Sequence, residues 1–304
     1  MRLAVLIASH NRRETTVEGL RRLIPALEAI PPPLRPHYFL VEDGSTDGTG
    51  DAVRLEFPQV RVIQGSGALF WAGGMALAYA EVQRQPKPFD VYLLFNDDVR
   101  VDAGAVSSCV ATFDELNRTH PSVLVGACTS AETGAYTYGG WMRTSRIKVL
   151  GFNQVFGEGG RREVDTFNGN FVLIPARVFE SLGGLDGEYR HAYADLDFGL
   201  RAQRQGARIF VNEVPVGTCE RGTTLADRAS RMDVHSAWRT LITGPSGLTP
   251  FVRFACRHGV PGLVPIYFCH ELSTRLRILL ASRPQIRAIG RAVGGRLSPH
   301  SVHR

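Results

Sequence analysis

Short apolar runs alternate with segments of helical periodicity over the first 127 residues of the chain. The apolar runs, which predict strands, are residues 3–8, 38–41, 60–63, 91–95 and 123–127. The periodic segments, which predict helices, are residues 13–29, 49–57, 73–84 and 103–117. Strands that are apolar on both faces and alternate with helices are typical of a parallel sheet covered by helices. The pattern therefore predicts an α/β fold with a Rossmann-like, mostly parallel sheet.

The pattern changes after residue 128. Residues 129–167 are rich in Gly, Thr and Tyr and lack helical periodicity, so we expect β-hairpins or an excursion that forms one wall of a cleft. Its aromatic side chains, including Trp141, are suited either to stacking on a ligand or to local core. A strand over 171–174, a helix over 176–182 and a strand over 209–211 then complete the predicted core.

The composition is that of a globular protein without a disulfide framework, a structural zinc site or a membrane-spanning run. The chain has 304 residues, of which 44% are hydrophobic and 21% are charged, as in ordinary globular proteins. Its five cysteines are scattered and include no CxxC pair, which argues against a disulfide framework and against a structural zinc site. No run of about 18 apolar residues occurs, and the N-terminus indicates a first strand rather than a signal peptide. We expect a cytoplasmic protein, either soluble or peripheral on the inner face of the membrane.

Charge divides the chain into two parts. Residues 236–304 contain ten arginines and one acidic residue, a formal charge of +9. Because the whole chain carries +6, residues 1–235 carry −3. We therefore predict a first domain over 1–235 and a basic helical C-terminal extension over 236–304. Residues 272–295 mix Leu and Ile with Arg at helical spacing, which indicates either a helix on an anionic membrane surface or a helix packed on the body. No nucleic-acid recognition motif accompanies the charge, so nucleic acid is not expected.

Three acidic clusters follow predicted core segments. They lie at residues 42–47, at 96–98, and at Asp195 with Asp197. The carboxyl ends of parallel strands meet at one edge of a sheet, where ligands of α/β proteins bind. Carboxylates that converge there are typical of a site that holds a metal ion and a diphosphate.

Each cluster has a candidate role and a structural alternative. Asp97 and Asp98 would be costly to bury without a cation, and carboxylates with diphosphate oxygens are ligands that Mg²⁺ or Mn²⁺ prefers. The alternative, a helix cap, fits Asp102 better. Glu42 and Asp43 could accept hydrogen bonds from a nucleobase, whereas Asp or Ser in such turns often binds its own backbone.

Two further positions complete the candidate site. Asp195 could accept a proton from an attacking hydroxyl, or it could be the N-cap of the next helix. Gly73 and Gly74 could let a backbone amide approach a phosphate, or they could permit tight packing. The chain contains no GxxxxGK[ST] sequence, and the nearest dinucleotide fingerprint, at 65–70, lacks its third glycine.

Five short segments, taken in order, resemble family 2 inverting glycosyltransferases of the GT-A fold, particularly the bacterial rhamnosyltransferase-like members. The resemblance covers roughly residues 2–225. The segments are IASHNR (7–12), VEDGSTDGT (41–49), LLFNDDV (93–99), NGNFVLIPARVFESLGGLD (168–186) and ADLDFGLR (194–201). Each segment is weak alone, and the five in order are a strong indication.

The resemblance implies transfer of a sugar from a nucleotide-sugar to a hydroxyl with inversion. Residues 96–98 take the place of the family's DxD-type motif, whose last aspartate, here Asp98, binds the metal and the donor diphosphate. Asp195 matches the aspartate of the ED motif, the expected general base. On the acceptor side we place Trp141 and Asp197.

The resemblance also assigns the nucleotide site. Glu42 and Asp43 occupy the base-binding position, and Ser9 and Asn11 occupy the first nucleotide loop. The donor-binding set is completed by Gly73, Gly74, Asp97 and Asp98.

The chain departs from the family pattern at three places. Ala194 stands where the family usually has the Glu of ED. Where many members have a metal-binding His, this chain offers Cys219 and Glu220, and the nearest later histidine is His235. The Asn that is common near Gly73 and Gly74 is missing.

The sequence thus predicts a metal-dependent glycosyltransferase of cell-surface polysaccharide synthesis. The expected donor is dTDP-rhamnose or a UDP-sugar, and the expected acceptor is a glycan or a lipid-linked hydroxyl. One alternative is a non-catalytic family member that binds nucleotide-sugar or glycan, as the missing Glu and His would suggest. The other is a nucleotidyltransferase, which also uses paired acids and a metal.

Overall fold

The structure, a computed structural model, describes residues 1–31 and 34–281. Within them the strands are β1 (Arg2–Ser9), β2 (Arg35–Glu42), β3 (Val60–Gln64), β4 (Val91–Asn96), β5 (Arg100–Val101), β6 (Ser122–Val125), β7 (Cys128–Thr129), β8 (Tyr136–Tyr138), β9 (Gly140–Arg143), β10 (Phe152–Val155), β11 (Arg162–Glu163), β12 (Thr166–Phe167), β13 (Phe171–Pro175), β14 (Arg208–Val211) and β15 (Gly217–Thr218). Each predicted core strand is among them.

The α-helices of the same residues are α1 (Arg13–Glu28), α2 (Thr49–Glu56), α3 (Phe70–Gln83), α4 (Ala103–Asn117), α5 (Ala176–Ser181), α6 (Ala194–Arg204), α7 (Leu225–Ser230), α8 (Val234–Trp238), α9 (Leu248–His258) and α10 (Val264–Ala281). Single turns of 3-10 helix occur at Gly187–Tyr189 and Pro261–Leu263, and Arg239–Thr243 is π-helical. The helices predicted over 13–29, 49–57, 73–84, 103–117 and 176–182 are confirmed, although α3 begins three residues before the predicted start because Asp43 caps it. Of the helix predicted over 272–295, residues 282–295 lie outside the described residues.

An eight-stranded sheet forms the centre, in the order β11-β14-β6-β13-β4-β1-β2-β3. The pairs β4-β1, β1-β2, β2-β3 and β6-β14 are parallel. β13 is antiparallel to both of its neighbours, and β11 is antiparallel to β14. No helix lies between β6 and β13, so β13 begins at the same end of the sheet at which β6 finishes. The mostly parallel sheet is confirmed, with β13 reversed for this reason.

Helices cover both faces of the sheet. Because successive side chains of a strand point to opposite faces, the apolar run of β1 serves two cores. Leu3, Val5 and Ile7 pack in the cluster that includes residues of α1, α2 and α4. Ala4 and Leu6 pack in the cluster that includes residues of α3, α5 and α6. The burial of both faces is what the unbroken apolar runs predict.

The excursion at 128–167 forms two small sheets. One has the order β10-β9-β12, in which β9 and β10 are antiparallel, and the other has the order β5-β15-β7-β8. The predicted β structure of this region is thus present. It extends the carboxyl edge of the central sheet, because β5 directly follows the end of β4 and β12 directly precedes β13.

The C-terminal helices pack on the body near α6. Phe251 and Phe254 of α9 share a buried cluster with Tyr189 and Ala194. In the described part of the chain, no helix has the length and apolar character that a membrane span requires. The boundary near residue 235 stays a prediction.

Part of the charge of the predicted basic extension is neutralised internally. Arg253 and Arg257 form ion pairs with Asp186 at 2.8 and 3.0 Å. Arg275 is 2% exposed and binds Glu271, with further hydrogen bonds to backbone carbonyls. Five more arginines of the extension lie outside the described residues: Arg283, Arg287, Arg291, Arg296 and Arg304.

Candidate active site

A polar cavity of about 410 Å³ lies at the carboxyl edge of the central sheet. Its walls come from the ends of β1 and β4, the loop before β13, the start of α6 and the segment that leads into α7. Three predicted carboxylates from two separate motifs line it, namely Asp97, Asp98 and Asp195. The structure therefore brings the DxD-like and ED-like segments together, as expected from their places in the sheet.

Asp97 lies at the cavity floor and is 2% exposed. Arg12 Nη1 lies 2.9 Å from Oδ1, and the Thr16 hydroxyl donates to Oδ2 at 2.7 Å. The Ser9 hydroxyl contacts that of Thr16 at 2.7 Å. Burial raises the pKa of Asp97, while Arg12 and Thr16 act in the opposite direction. Ser9 and Asp97 thus belong to one buried network that supports the cavity from below.

Asp98 is the more accessible carboxylate of the pair, with 34% of its side chain exposed. Its Oδ2 accepts a hydrogen bond from Arg12 at 2.8 Å, and Cys219 Sγ lies 3.5 Å from Oδ1. Burial and the nearby charge of Asp98 both raise the pKa of the Cys219 thiol. In this arrangement the Cys219 thiol is therefore protonated and donates to Asp98.

Asp98 fits one mode of metal binding. Residues 1–31 and 34–281 contain no group of three or more His, Cys, Asp or Glu side chains that could hold a metal ion. A complete protein cage is thus absent from this part of the chain. Mg²⁺, however, is usually bound by one or two carboxylates together with substrate phosphates and water. A single exposed carboxylate in a polar cavity fits a metal that is shared with a bound diphosphate.

Asp195 lies in the first turn of α6. Its Oδ2 accepts a hydrogen bond from the Gly169 amide at 3.2 Å, and its Oδ1 accepts one from the Leu196 amide at 2.8 Å. Tyr193 occupies the N-cap position, so the N-cap alternative for Asp195 does not hold. Burial raises the pKa of Asp195, although the two amides oppose this effect. A cavity-facing carboxylate with a raised pKa has the properties of a general base.

Two tryptophans fix the loop that precedes β13. Trp71 Nε1 donates to Asn96 Oδ1 at 2.6 Å, and a Cβ on Gly169 would lie 2.5 Å from the Trp71 ring. Trp141 Nε1 donates to Asn168 Oδ1 at 3.0 Å. Trp141 was expected on the acceptor side, but it does not line the cavity. It holds Asn168, which does line the cavity. The loop is thereby held from two sides.

Asp197 does not reach the cavity, contrary to its predicted place on the acceptor side. Its side chain is fully buried. It accepts hydrogen bonds from Arg201 at 2.7 Å, from Arg257 at 2.9 Å and from His258 at 2.8 Å. Burial alone would raise the pKa of Asp197, but these donors hold it well below its usual range. Asp197 faces away from Asp195 and ties α6 to α9.

Asp43 caps a helix in the structure and is not a lining residue of the cavity. Its Oδ1 accepts a hydrogen bond from the Gly67 amide at 2.7 Å. Its Oδ2 accepts from the amides of Leu69 and Phe70 at 2.9 and 3.0 Å. Three orphan amides at the start of α3 are thus satisfied. The carboxylate predicted to bind a nucleobase is thus engaged by the backbone in this structure, and its role toward a nucleobase stays a prediction.

Glu42 and Asn11 brace the loops on either side of Asp43. Glu42 accepts hydrogen bonds from the Ser45 amide and, at 2.8 Å, from the Gln64 side chain. Asn11 Oδ1 accepts one from the Thr46 amide at 2.8 Å, and the Asn11 amide donates to the Ser45 hydroxyl at 2.9 Å. These bonds join the first and second loops of the predicted nucleotide site. The second acidic turn thus makes the local hydrogen bonds of the structural alternative, and nucleobase binding by Glu42 stays a prediction.

Gly74 packs against β1. A Cβ at this position would lie 2.8 Å from the Ala8 Cβ, so only glycine allows α3 to approach the strand this closely. A Cβ on Gly73 would lie 3.2 Å from the Leu69 Cβ. Neither glycine is at the first helical position, because α3 begins at Phe70. Tight packing, not phosphate approach, is the role that the structure gives Gly74.

Tyr138, one of the aromatic side chains of residues 129–167, lines the cavity as well. Four other lining residues have no role predicted from the sequence: Arg12, His191, Thr223 and Arg228. Arg228 Nε is buried and has no hydrogen-bond partner among the residues that the structure describes. Burial lowers the pKa of His191, and the charge of Arg228 adds to this. Arg12 stood inside the IASHNR segment and could have been found there. Arg228 carries no motif, and only the fold places it at the cavity.

The departures from the family pattern have structural explanations. Ala194 is fully buried among apolar side chains, where a carboxylate would be costly. The Glu220 carboxylate accepts a hydrogen bond from the Ala131 amide at 2.7 Å. His235 lies on α8 and is not a lining residue. Of the three candidates for the missing histidine, only Cys219 contacts Asp98.

Comparisons with known proteins agree with this geometry. The model of the family described as "Glycosyltransferase like family 2" matches residues 2–234. Among solved structures, the mannosyltransferase PcManGT from Pyrobaculum calidifontis, in complex with GDP-Man and Mn²⁺, is 16% identical with a TM-score of 0.50, over 97% of this chain and 79% of that one. S. aureus TarS 1–349 in complex with UDP-GlcNAc is 13% identical with a TM-score of 0.52, over 98% and 77%. No curated protein matches.

Proposed function

The chain belongs to glycosyltransferase family 2 and has a GT-A type fold, and from this premise we propose that it transfers a sugar from a nucleotide-sugar to an acceptor hydroxyl with inversion. The observation that carries the proposal is the presence of Asp98 and Asp195 in one polar cavity. Asp98 is accessible to a donor diphosphate, and Asp195 is a half-buried carboxylate with a raised pKa.

The proposed step needs one base and one leaving group. The acceptor hydroxyl gives its proton to the Asp195 carboxylate while its oxygen attacks the anomeric carbon. The bond from that carbon to the diphosphate breaks on the opposite face, so the configuration inverts. The amides of Gly169 and Leu196 orient the carboxylate before the reaction. Because the carboxylate is already oriented, it needs less rearrangement to reach the transition state.

The leaving diphosphate requires positive charge. Asp98 would hold Mg²⁺ or Mn²⁺, which when bound neutralises charge that develops on the diphosphate. Arg228 brings a guanidinium to the same cavity, and its Nε has no hydrogen-bond partner among the described residues. Guanidinium groups form strong hydrogen bonds to phosphate oxygens. Arg12, by contrast, is occupied by Asp97 and Asp98.

The finer identity of the substrates rests on the sequence resemblance. We propose dTDP-rhamnose or a UDP-sugar as donor, and a glycan or lipid-linked hydroxyl of cell-surface polysaccharide synthesis as acceptor. The two similar structures contain GDP-Man and UDP-GlcNAc, and the second of these is a UDP-sugar. We place the reaction in the cytoplasm, at the inner face of the membrane, on the basis of the arginine-rich C-terminal extension.

Asp98→Ala is expected to abolish metal-dependent nucleotide binding. Calorimetric titration with UDP, dTDP and GDP, with and without Mn²⁺, should show one nucleotide that binds more tightly with the metal. The variant should lose this metal effect because it removes the accessible carboxylate. Asp114→Ala, a surface change on α4, is the matched control. Equal metal dependence in Asp98→Ala would contradict the assigned role of Asp98.

The rate of transfer is expected to rise with pH through the pKa of Asp195. Asp195 must be ionised to accept a proton, and burial raises its pKa. The acidic limb of a kcat profile should therefore lie above about 3.9, the ordinary Asp value. The profile is measured at saturating nucleotide-sugar. If the residual activity of Asp195→Asn keeps the same acidic limb, the titrating group is not Asp195.

A further inference from the structure

A second cavity, of about 460 Å³, lies between the β9-β10 connection and α10. Small-molecule sites commonly have volumes of roughly 300–1,000 Å³. The lining is mostly apolar and includes Val149, Leu150, Phe251, Leu263 and Ile266. It shares no residue with the polar cavity. Its surface suits a hydrocarbon group rather than a sugar or a nucleotide.

The rim of this cavity combines exposed apolar and basic side chains. Ile147 is 64% exposed and Ile266 is 61% exposed. The exposed side chains of Arg146 and Lys148 flank Ile147 in sequence. Large exposed apolar side chains beside a cavity mark binding surfaces in soluble proteins. The neighbouring cations indicate a ligand that carries negative charge next to its apolar part.

Hydrogen bonds and an ion pair hold the rim of this cavity in place. The Ser145 hydroxyl accepts hydrogen bonds from the amides of Ile147 and Lys148 at 3.2 and 3.0 Å. The Tyr267 hydroxyl of α10 donates to the Ile147 carbonyl, which ties the hairpin connection to the helix. Glu271, the one acidic lining residue, is paired with Arg275 at 2.7 Å. The positive charge of Lys148 is therefore not cancelled by Glu271.

We propose that this cavity binds the hydrocarbon chain of an anionic amphiphile, with the anionic headgroup on Lys148 and Arg146. A second copy of the same face would bring like charges together. Residues 282–304 contain five arginines and no acidic residue, so their sequence offers no charge that complements this rim. An anionic headgroup on a single chain complements both the charge and the apolar lining.

The position of the cavity connects it to the active site. Phe251 lines it and contacts Tyr193, with 6.3 Å between ring centroids. Tyr193 is the N-cap of α6, two residues before Asp195. The bound chain thus lies one aromatic layer from the helix that carries the base. The inference deepens the proposed function, on which it rests for naming the amphiphile as the acceptor.

The test measures binding and does not depend on transfer. Dodecyl phosphate, kept below its critical micelle concentration, is titrated into the full-length protein by calorimetry. Ile266→Asp should weaken its binding by about tenfold or more, because the change puts a charge at the cavity mouth. Leu55→Asp, an equally polar change at an exposed position on α2, should leave binding unchanged.

A second variant tests the headgroup. Lys148→Glu should weaken binding of dodecyl phosphate but not of dodecyl maltoside, which is uncharged. Binding of the wild type only to phosphatidylglycerol vesicles, and not to dispersed dodecyl phosphate, would replace the single-chain site with a bilayer surface. Equal losses in Ile266→Asp and Leu55→Asp would also overturn the proposal. Nucleotide binding by the same samples tests the proposed function separately, so the two can fail independently.

Discussion

Asp195→Asn is expected to lower kcat by about 10²-fold or more, because it removes the group that accepts the acceptor proton. Asparagine keeps the size of the side chain and can still accept the Gly169 hydrogen bond through its oxygen. Nucleotide binding should therefore remain close to that of the wild type. The measurement is release of the nucleoside diphosphate in the presence of acceptor, with binding followed in parallel.

The control for this variant is Glu188→Gln, which removes an exposed carboxylate outside the cavity and should leave kcat unchanged. Unaltered turnover in Asp195→Asn would show that Asp195 is not the base. A wild type that binds nucleotide-sugar and transfers nothing would favour the non-catalytic family member. The burial of Ala194 weighs against that alternative, since this position lies among apolar side chains and does not line the cavity.

Asp197→Ala is expected to lower the free energy of unfolding by about 3–5 kcal/mol, since it removes one partner of a buried ion pair. The variant leaves Arg201 and Arg257 without their shared carboxylate. Burial lowers the pKa of His258, so a neutral ring would lose its acceptor as well. Urea unfolding of the variant and the wild type measures the difference.

The matched comparison for Asp197→Ala is Asp195→Asn, two residues earlier on the same helix. Asp195→Asn should reduce kcat with little effect on the free energy of unfolding. Asp197→Ala should mainly lower the free energy of unfolding, and it should reduce kcat only because α6 is displaced. The pKa of Asp197 is depressed in the folded state, so its contribution is complete above about pH 4 and is lost as pH falls further. Similar stabilities of the two variants at pH 7 would contradict the assignment.

The arrangement of the sheet followed from sequence because apolar runs and strand ends carry strong signals. Each acidic turn was expected at the carboxyl edge, and Asp98 and Asp195 do line one cavity there. The direction of individual side chains was harder to predict. Asp43 lies at the expected strand end, but its partners, the amides of Gly67, Leu69 and Phe70, come more than 20 residues later in the chain.

Long-range partners also explain the outcome for Asp197. Arg257 and His258 lie 60 and 61 residues farther along, in a segment whose composition indicated an exposed basic extension. Charge counted along the sequence cannot distinguish an arginine in solvent from one in a buried ion pair. Arg257 shows the difference, since it binds both Asp186 and Asp197. Part of the positive charge of residues 236–281 thus stabilises the fold through buried ion pairs.

The reversed direction of β13 has a consequence for how this protein can diversify. The chain leaves the sheet after β6 and re-enters through β13 at the same edge, so the intervening segment begins and ends near one place. Lengthening such a segment costs little, because the closure entropy of a loop grows slowly with its length. New hairpins can therefore be inserted or exchanged between residues 128 and 167 without a change in strand order. The part of the cavity wall that contains Tyr138 is thus free to change, while β4, which precedes Asp98, keeps its place in the sheet.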